Sequence, residues 1–190
     1  MRRTPLMRGK WKRSDGDALI AARGLRRRDL IVGSSPAAFL VSENPRAIAY
    51  PAPWYSRRSQ QLVTRHSMEI ELAASCHDLD PEYLRAIIWM ESTHGWYDGL
   101  TQLIKRPKTI LPMNIYAEYW KGLGISRSDL QSARINIDTG AYLVSQLTKR
   151  IDSPNLAKVA TLYNRLGLDR VSGYGMTVLH YYQSRPWDQV

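Results

Sequence analysis

Glu91 is the residue of this chain best placed to move a proton. Leu84, Ile87, Ile88 and Glu91 fall at i, i+3, i+4 and i+7, so the carboxyl shares a helical stripe with apolar side chains. The helix ends soon after, where the negative end of its dipole disfavours a second negative charge. Burial against Trp89, Trp96 or Tyr97 would act in the same direction, because desolvation penalises the ionised form. Both effects raise a carboxyl pKa towards neutrality, as a general acid requires. A second carboxylate, Asp98, follows seven residues later, in a loop. If it faced the same cleft across a water molecule, the pair would suit inverting hydrolysis of a glycosidic bond; the plainer reading is a surface residue.

Other chemistries find little support. Cys76 is the single cysteine, so there is neither an intramolecular disulfide nor a thiolate pair, and its setting, Leu72-Ala73-Ala74-Ser75-Cys76, reads as a small buried core position. His66, His77 and His180 have no metal-ligand spacing with one another or with acids, and no metal or cofactor is expected. His94, beside Gly95, reads as a solvated loop residue before it reads as a proton shuttle. Residues 50–190 hold 5 Trp, 11 Tyr and no Phe, and amphipathic rings of this kind suit sugar stacking as well as core packing.

The elements that must position these groups are helical. Leu62, Val63, Ile70, Leu72 and Ala73 predict a helix over 57–77, and Asp80-Pro81 reads as N-cap and first helical residue of another running to Ser92. An irregular segment, 93–112, follows, with the basic residues Lys105, Arg106 and Lys108, and a loop of this length in a compact domain is usually functional. Short helices are expected over 113–121 and 127–133, and longer ones over 136–151, from Ser153-Pro154 to Gly167, and over 172–182. No period-two run stands out, so the expected class is all-α.

Ala86-Ile87-Ile88-Trp89-Met90-Glu91-Ser92, preceded by Asp80-Pro81-Glu82-Tyr83-Leu84, resembles the catalytic helix of the soluble lytic transglycosylases of the lysozyme-like superfamily. Leu111-Pro112-Met113-Asn114-Ile115 stands where that family has its Gly-Leu-Met-Gln type cleft motif. Asn136 to Leu143 is similar to its Asn-x-x-x-Gly-x-x-Tyr-Leu helix, with Tyr142 as the tyrosine. Ala160-Thr161-Leu162-Tyr163-Asn164 is similar to its Tyr-Asn element, and Val171, Tyr174 and Val178 to Tyr182 look like its closing helix. The resemblance covers about residues 60–182. It implies a lysozyme-like α-helical domain with a long active-site loop, in which Glu91 protonates the bond between N-acetylmuramic acid and N-acetylglucosamine. As a carboxylate, Glu91 would then take the proton of the muramoyl 6-hydroxyl as a 1,6-anhydro ring closes. It further implies that Ser92 fixes the carboxylate rotamer, that Met113 and Asn114 line the sugar cleft, that the Tyr163 hydroxyl sits near Glu91, and that Tyr142 and Asn164 complete the substrate site. The family's Ser-x-x-Gly-Ala-x-Gly stretch after the catalytic Glu-Ser is replaced here by Thr93 to Gly99, and Asn114 replaces its glutamine. These departures keep two alternatives open: a muramidase using Glu91 with Asp98, and a non-catalytic glycan-binding or secretion-assembly protein.

The net charge of +10 is unevenly placed, with 14 Lys/Arg against 4 Asp/Glu in residues 1–66 and 13 against 13 in 67–190. Arg27-Arg28-x-Leu30-Ile31, the weakly apolar stretch to Ser42 and Ala47-Ile48-Ala49 follow the order of an export signal and resemble the twin-arginine type. The competing readings are a disordered basic arm and a short buried helix. Residues 1–49 as signal and 50–190 as the domain leave the latter with 16 basic against 13 acidic residues, which removes the main support for a nucleic-acid partner. The resulting expectation is a monomer in the periplasm or cell envelope, not inserted in a membrane. Its partner would be peptidoglycan, with secretion or envelope machinery as a further one.

Overall fold

The computed structural model describes residues 39–51, 57–94, 109–117 and 123–189, and within them the chain is mostly helical. The helices are α1 (Arg57–Arg65), α2 (Ser67–His77), α3 (Pro81–His94), α4 (Ala133–Thr148), α5 (Leu156–Asn164) and α6 (Gly173–Ser184). Between α3 and α4 a short antiparallel ladder pairs β1 (Thr109–Ile110) with β2 (Ile115–Tyr116). None of the described helices is long and apolar enough to cross a membrane.

α3 is the axis of the core. Every residue from Leu84 to Thr93 is buried, so this helix is covered on all sides, by α1, α2 and α6 among others. It starts as the sequence predicts, with Asp80 Oδ1 accepting the Glu82 N–H at 2.9 Å. Arg85, inside the buried run, is matched by Glu82 and by Glu71 at 2.5 Å. Glu82 in turn accepts from the Trp187 indole N–H at 2.8 Å. A buried guanidinium is tolerated only when compensated in this way.

Elsewhere the elements differ from expectation. The helix predicted over 57–77 breaks at His66, whose φ of −107° and ψ of 21° are not helical. Residues 111–117 form a turn and strand where a helix was predicted to begin. The turn closes on Asn114, at a left-handed φ of 55° that asparagine adopts more readily than most residues. Of the helix predicted over 127–133 the structure has a 3-10 turn, Asp129–Gln131, and the chain then enters α4 at Ala133. α5 is capped by Asn155, whose Oδ1 accepts from the Lys158 N–H at 3.0 Å. Ser153 does not serve as the cap, because its φ of 49° turns the chain away from a helical start.

The fold also includes residues 39–49, which the expected boundary assigned to a signal. Phe39 and Ser42 form parallel bridges with Ile151 and Arg170, and Val41 joins the core at 5 % exposure. The folded unit thus extends upstream of Tyr50. The Arg27-Arg28 pair lies outside the described residues.

Candidate active site

Glu91 sits in the last turn of α3 with 8 % of its surface exposed. Both of its oxygens are held. The Tyr174 hydroxyl, from the first turn of α6, donates to Oε1 at 2.5 Å. Asn114 Nδ2, from the tip of the β1–β2 turn, donates to Oε2 at 2.6 Å. Burial pushes the Glu91 pKa up to about 7, and the two donors, which favour the carboxylate, oppose that rise. The desolvation expected from the apolar stripe is therefore the dominant cause. The Trp89 ring itself packs against Tyr181 and Trp187.

The neighbouring phenols are shifted too. Burial, reinforced by the nearby Glu91 charge, holds the Tyr163 and Tyr174 hydroxyls well above their ordinary pKa. Both are therefore protonated donors around neutral pH, where Glu91 titrates.

Asn136, on α4, ties the turn in place. Its Oδ1 accepts the Met113 N–H at 2.8 Å, and its Nδ2 donates to the carbonyls of Ile110 at 2.8 Å and Leu130 at 3.2 Å. The Tyr163 hydroxyl, from α5, donates to the Met113 carbonyl at 2.7 Å. The residue that carries Asn114 is thus fixed on both of its backbone polar groups.

Several predicted site residues take other parts. Ser92 does not hold the Glu91 rotamer: it turns to α1, meeting Ser59 Oγ at 2.8 Å and donating to the Ile88 carbonyl at 2.7 Å. At one residue beyond Glu91 it is rotated about 100° round the helix, away from the carboxyl. Met113 does not line a cleft, being fully buried at 0 % exposure. It lies on Gly140, where an added Cβ would meet Met113 Cε at 2.6 Å. The Asn114 amide, expected on a sugar, is turned onto Glu91. Tyr163 is close enough to feel the Glu91 charge but donates to a backbone carbonyl. Tyr142 lies edge-on to His77, 6.0 Å between ring centres, and His77 Nε2 meets Asp138 Oδ1 at 2.9 Å. Asn164 is exposed at the end of α5. Cys76 is half-buried, more open than the core position expected of it. Asp98, Trp96, Tyr97 and the basic residues of the loop lie outside the described residues.

The direct contact of Tyr174 with Glu91 was missed from sequence, where Tyr174 figured only as part of a closing helix. Its flanks carried a signal: in Gly173-Tyr174-Gly175 both glycines are sites of close approach. An added Cβ on Gly175 would meet the Ala157 carbonyl oxygen at 2.3 Å, and one on Gly173 the Tyr50 ring at 2.8 Å.

A separate cleft of about 240 Å³ opens at the other end of α3, lined by Asp80, Tyr83, Leu156 and Tyr182 among others. It is about 16 Å along the helix from Glu91. Among the described residues no group of three or more His, Cys, Asp or Glu is placed to hold a metal. No family model, no curated protein and no solved structure matches this chain.

Proposed function

We propose that this protein is a glycan-cleaving enzyme of the envelope, a peptidoglycan lytic transglycosylase in which Glu91 serves first as acid and then as base. The observation that carries the reading is the buried Glu91 carboxyl, gripped on both oxygens and poised near pH 7. A carboxyl that titrates there is able to give a proton to a glycosidic oxygen and to take one back within the same turnover. The proton goes to the departing N-acetylglucosamine oxygen as its bond to muramoyl C1 breaks. The muramoyl 6-hydroxyl then attacks C1 and yields its proton to Glu91, so a 1,6-anhydro ring forms, no water is consumed and the carboxyl is restored. Asn114 and Tyr174 stabilise the carboxylate between the two transfers. The lysozyme-like fold and the substrate belong to the same proposal and rest on the resemblance of the Glu91, Met113-Asn114, Asn136–Leu143 and Tyr163-Asn164 segments in order, while export rests on the Arg27-Arg28-x-Leu30-Ile31 pattern.

The test is digestion of purified peptidoglycan by the full-length protein and by Glu91→Gln, with products read by mass spectrometry. Anhydromuramyl ends that disappear in the variant are expected. Reducing ends would instead indicate a hydrolase and bring Asp98 into the reaction. Products that do not depend on Glu91, or none at all, would overturn the enzymatic reading.

A further inference from the structure

Residues 39–50 run alongside the segment that leads into α6. The Ser42 N–H donates to the Asp169 carbonyl at 2.8 Å, and the Val171 N–H returns a bond to the Ser42 carbonyl at 3.0 Å. Asn44 Nδ2 donates to the Val171 carbonyl at 2.9 Å. Farther on, the Tyr50 N–H donates to Thr177 Oγ1 at 2.7 Å, one turn into α6. Between these anchors Gly173 has no room for a side chain: an added Cβ would lie 2.8 Å from the Tyr50 ring and 3.0 Å from the Ile48 carbonyl oxygen.

The opposite side of the same turn is held by α5. Ser172, the N-cap of α6, receives the Gly175 N–H at 3.3 Å and gives its own N–H to Thr161 Oγ1 at 3.0 Å. Gly175 packs directly on Ala157 and Thr161 of α5. Tyr174, between the two glycines, is therefore mounted on a helix start clamped by α5 on one side and by residues 39–50 on the other.

We propose that residues 39–50 are a positioning strap of the Glu91 site: through Ser42, Asn44 and Tyr50 they fix the first turn of α6 and so seat the Tyr174 hydroxyl on the Glu91 carboxylate. The inference rests on Glu91 being the working group of the proposed function, and it deepens that reading by placing the strap among the parts the site requires. None of the strap residues touches Glu91, so they act through Tyr174 as positioning residues. Cleavage after Ala49 would sever the strap, and any maturation that keeps the site intact cuts ahead of Phe39.

Among the described residues, the groups that couple to the Glu91 carboxyl are Tyr174 of α6, Tyr163 of α5 and the Asn114 amide of the β1–β2 turn. A strap that seats Tyr174 is therefore legible in the Glu91 titration. The experiment uses the full chain with Asn44→Ala, which removes the bond to Val171, and with Gly173→Ala, which wedges strap and helix apart. Glu43→Ala is the control within the same segment, because the Glu43 carboxylate is turned to Asn155 and Lys158 and makes none of the Ser42, Asn44 and Tyr50 contacts with the start of α6. The Glu91 carboxyl is followed by ¹³C NMR across pH, assigned with Glu91→Gln, beside the pH profile of peptidoglycan cleavage and a circular-dichroism check of folding. Asn44→Ala and Gly173→Ala are expected to move the Glu91 midpoint above its native value, since a donor to the carboxylate is weakened. They are also expected to lower turnover on the order of tenfold, with Glu43→Ala leaving the midpoint in place. A native midpoint in folded Asn44→Ala, which is the milder change, or an equal movement in Glu43→Ala, would overturn the proposal. If the wild type releases no fragments while the midpoint still moves in Asn44→Ala, the lytic reading fails and the strap stands.

Discussion

A carboxyl whose pKa is about 7 in the fold and 4.5 ordinarily binds protons more tightly folded than unfolded between those values. The stability it contributes is present below pH 4.5 and is lost as pH rises through about 7. The difference corresponds to about 3 kcal/mol as an upper figure. Glu91→Gln, which stays neutral, is therefore expected to melt at higher temperature than the wild type at pH 8, and the gap should close as pH falls towards 4.5. Thermal unfolding at several pH values checks it, and equal melting curves at pH 8 would remove the case for a destabilised ionised carboxyl. The raised pKa was legible in the sequence because an apolar stripe at i, i+3, i+4 and i+7 carries its fourth member inward whatever the tertiary fold. The partners were less so. Spacing brings Asn114 into the neighbourhood but does not say that its left-handed backbone aims the amide at Glu91, and for Ser92 sequence adjacency is misleading, since the next residue on a helix faces elsewhere.

At the scale of elements, the site is assembled where a helix end, a tight turn and a helix start converge. Two glycines set the distances. Gly175→Ala would drive a methyl to 2.3 Å from the Ala157 carbonyl oxygen, and Gly140→Ala would meet Met113 along its length, at Cε, Cγ and Cβ, 2.6 to 2.9 Å away. Both are expected to destabilise, by roughly 1–3 kcal/mol, with Gly175→Ala the costlier because its nearest contact is backbone. Urea unfolding of the two variants tests the order, and the reverse order would contradict the packing described. Helix existence was readable from periodicity for α3, α4 and α6, and the Asp80-Pro81 start was correct to the residue. The hairpin was not readable. Its strands are two residues each, too short for any alternation, and it is held by the buried amide of Asn136 from another helix. Ser153-Pro154 carried the right cap chemistry two residues early, and the cap fell to Asn155, where the backbone permits one.

For the whole molecule, the basic N-terminal third proves to contain part of the core. The apolar stretch ending near Ser42 reads as a leader when its composition is weighed alone, while the structure places Val41 among buried side chains and bonds Phe39 to Arg150 and Asp152. Composition registers that a segment is apolar, not what covers it. A protein beginning at Tyr50 loses that burial and the strap hydrogen bonds together, and is expected to be less stable than one beginning at Phe39 by about 3 kcal/mol or more. Comparative denaturation of the two proteins measures the difference, and matching midpoints would show the segment to be energetically idle.

The strap also sets an order of events. Asn44 and Tyr50 find their hydrogen-bond partners 127 residues farther along the chain. Contacts of such sequence separation close late, because the entropy of the intervening loop must be overcome first. On a ribosome the segment leaves the tunnel long before residues 169–177 exist, and it has no seat until they do. Tyr174 then reaches its working position only when the earliest and latest parts of the described fold have met. A nascent chain halted short of α6 holds Glu91 but not the hydroxyl that grips it, so the site becomes complete only with nearly all of the chain.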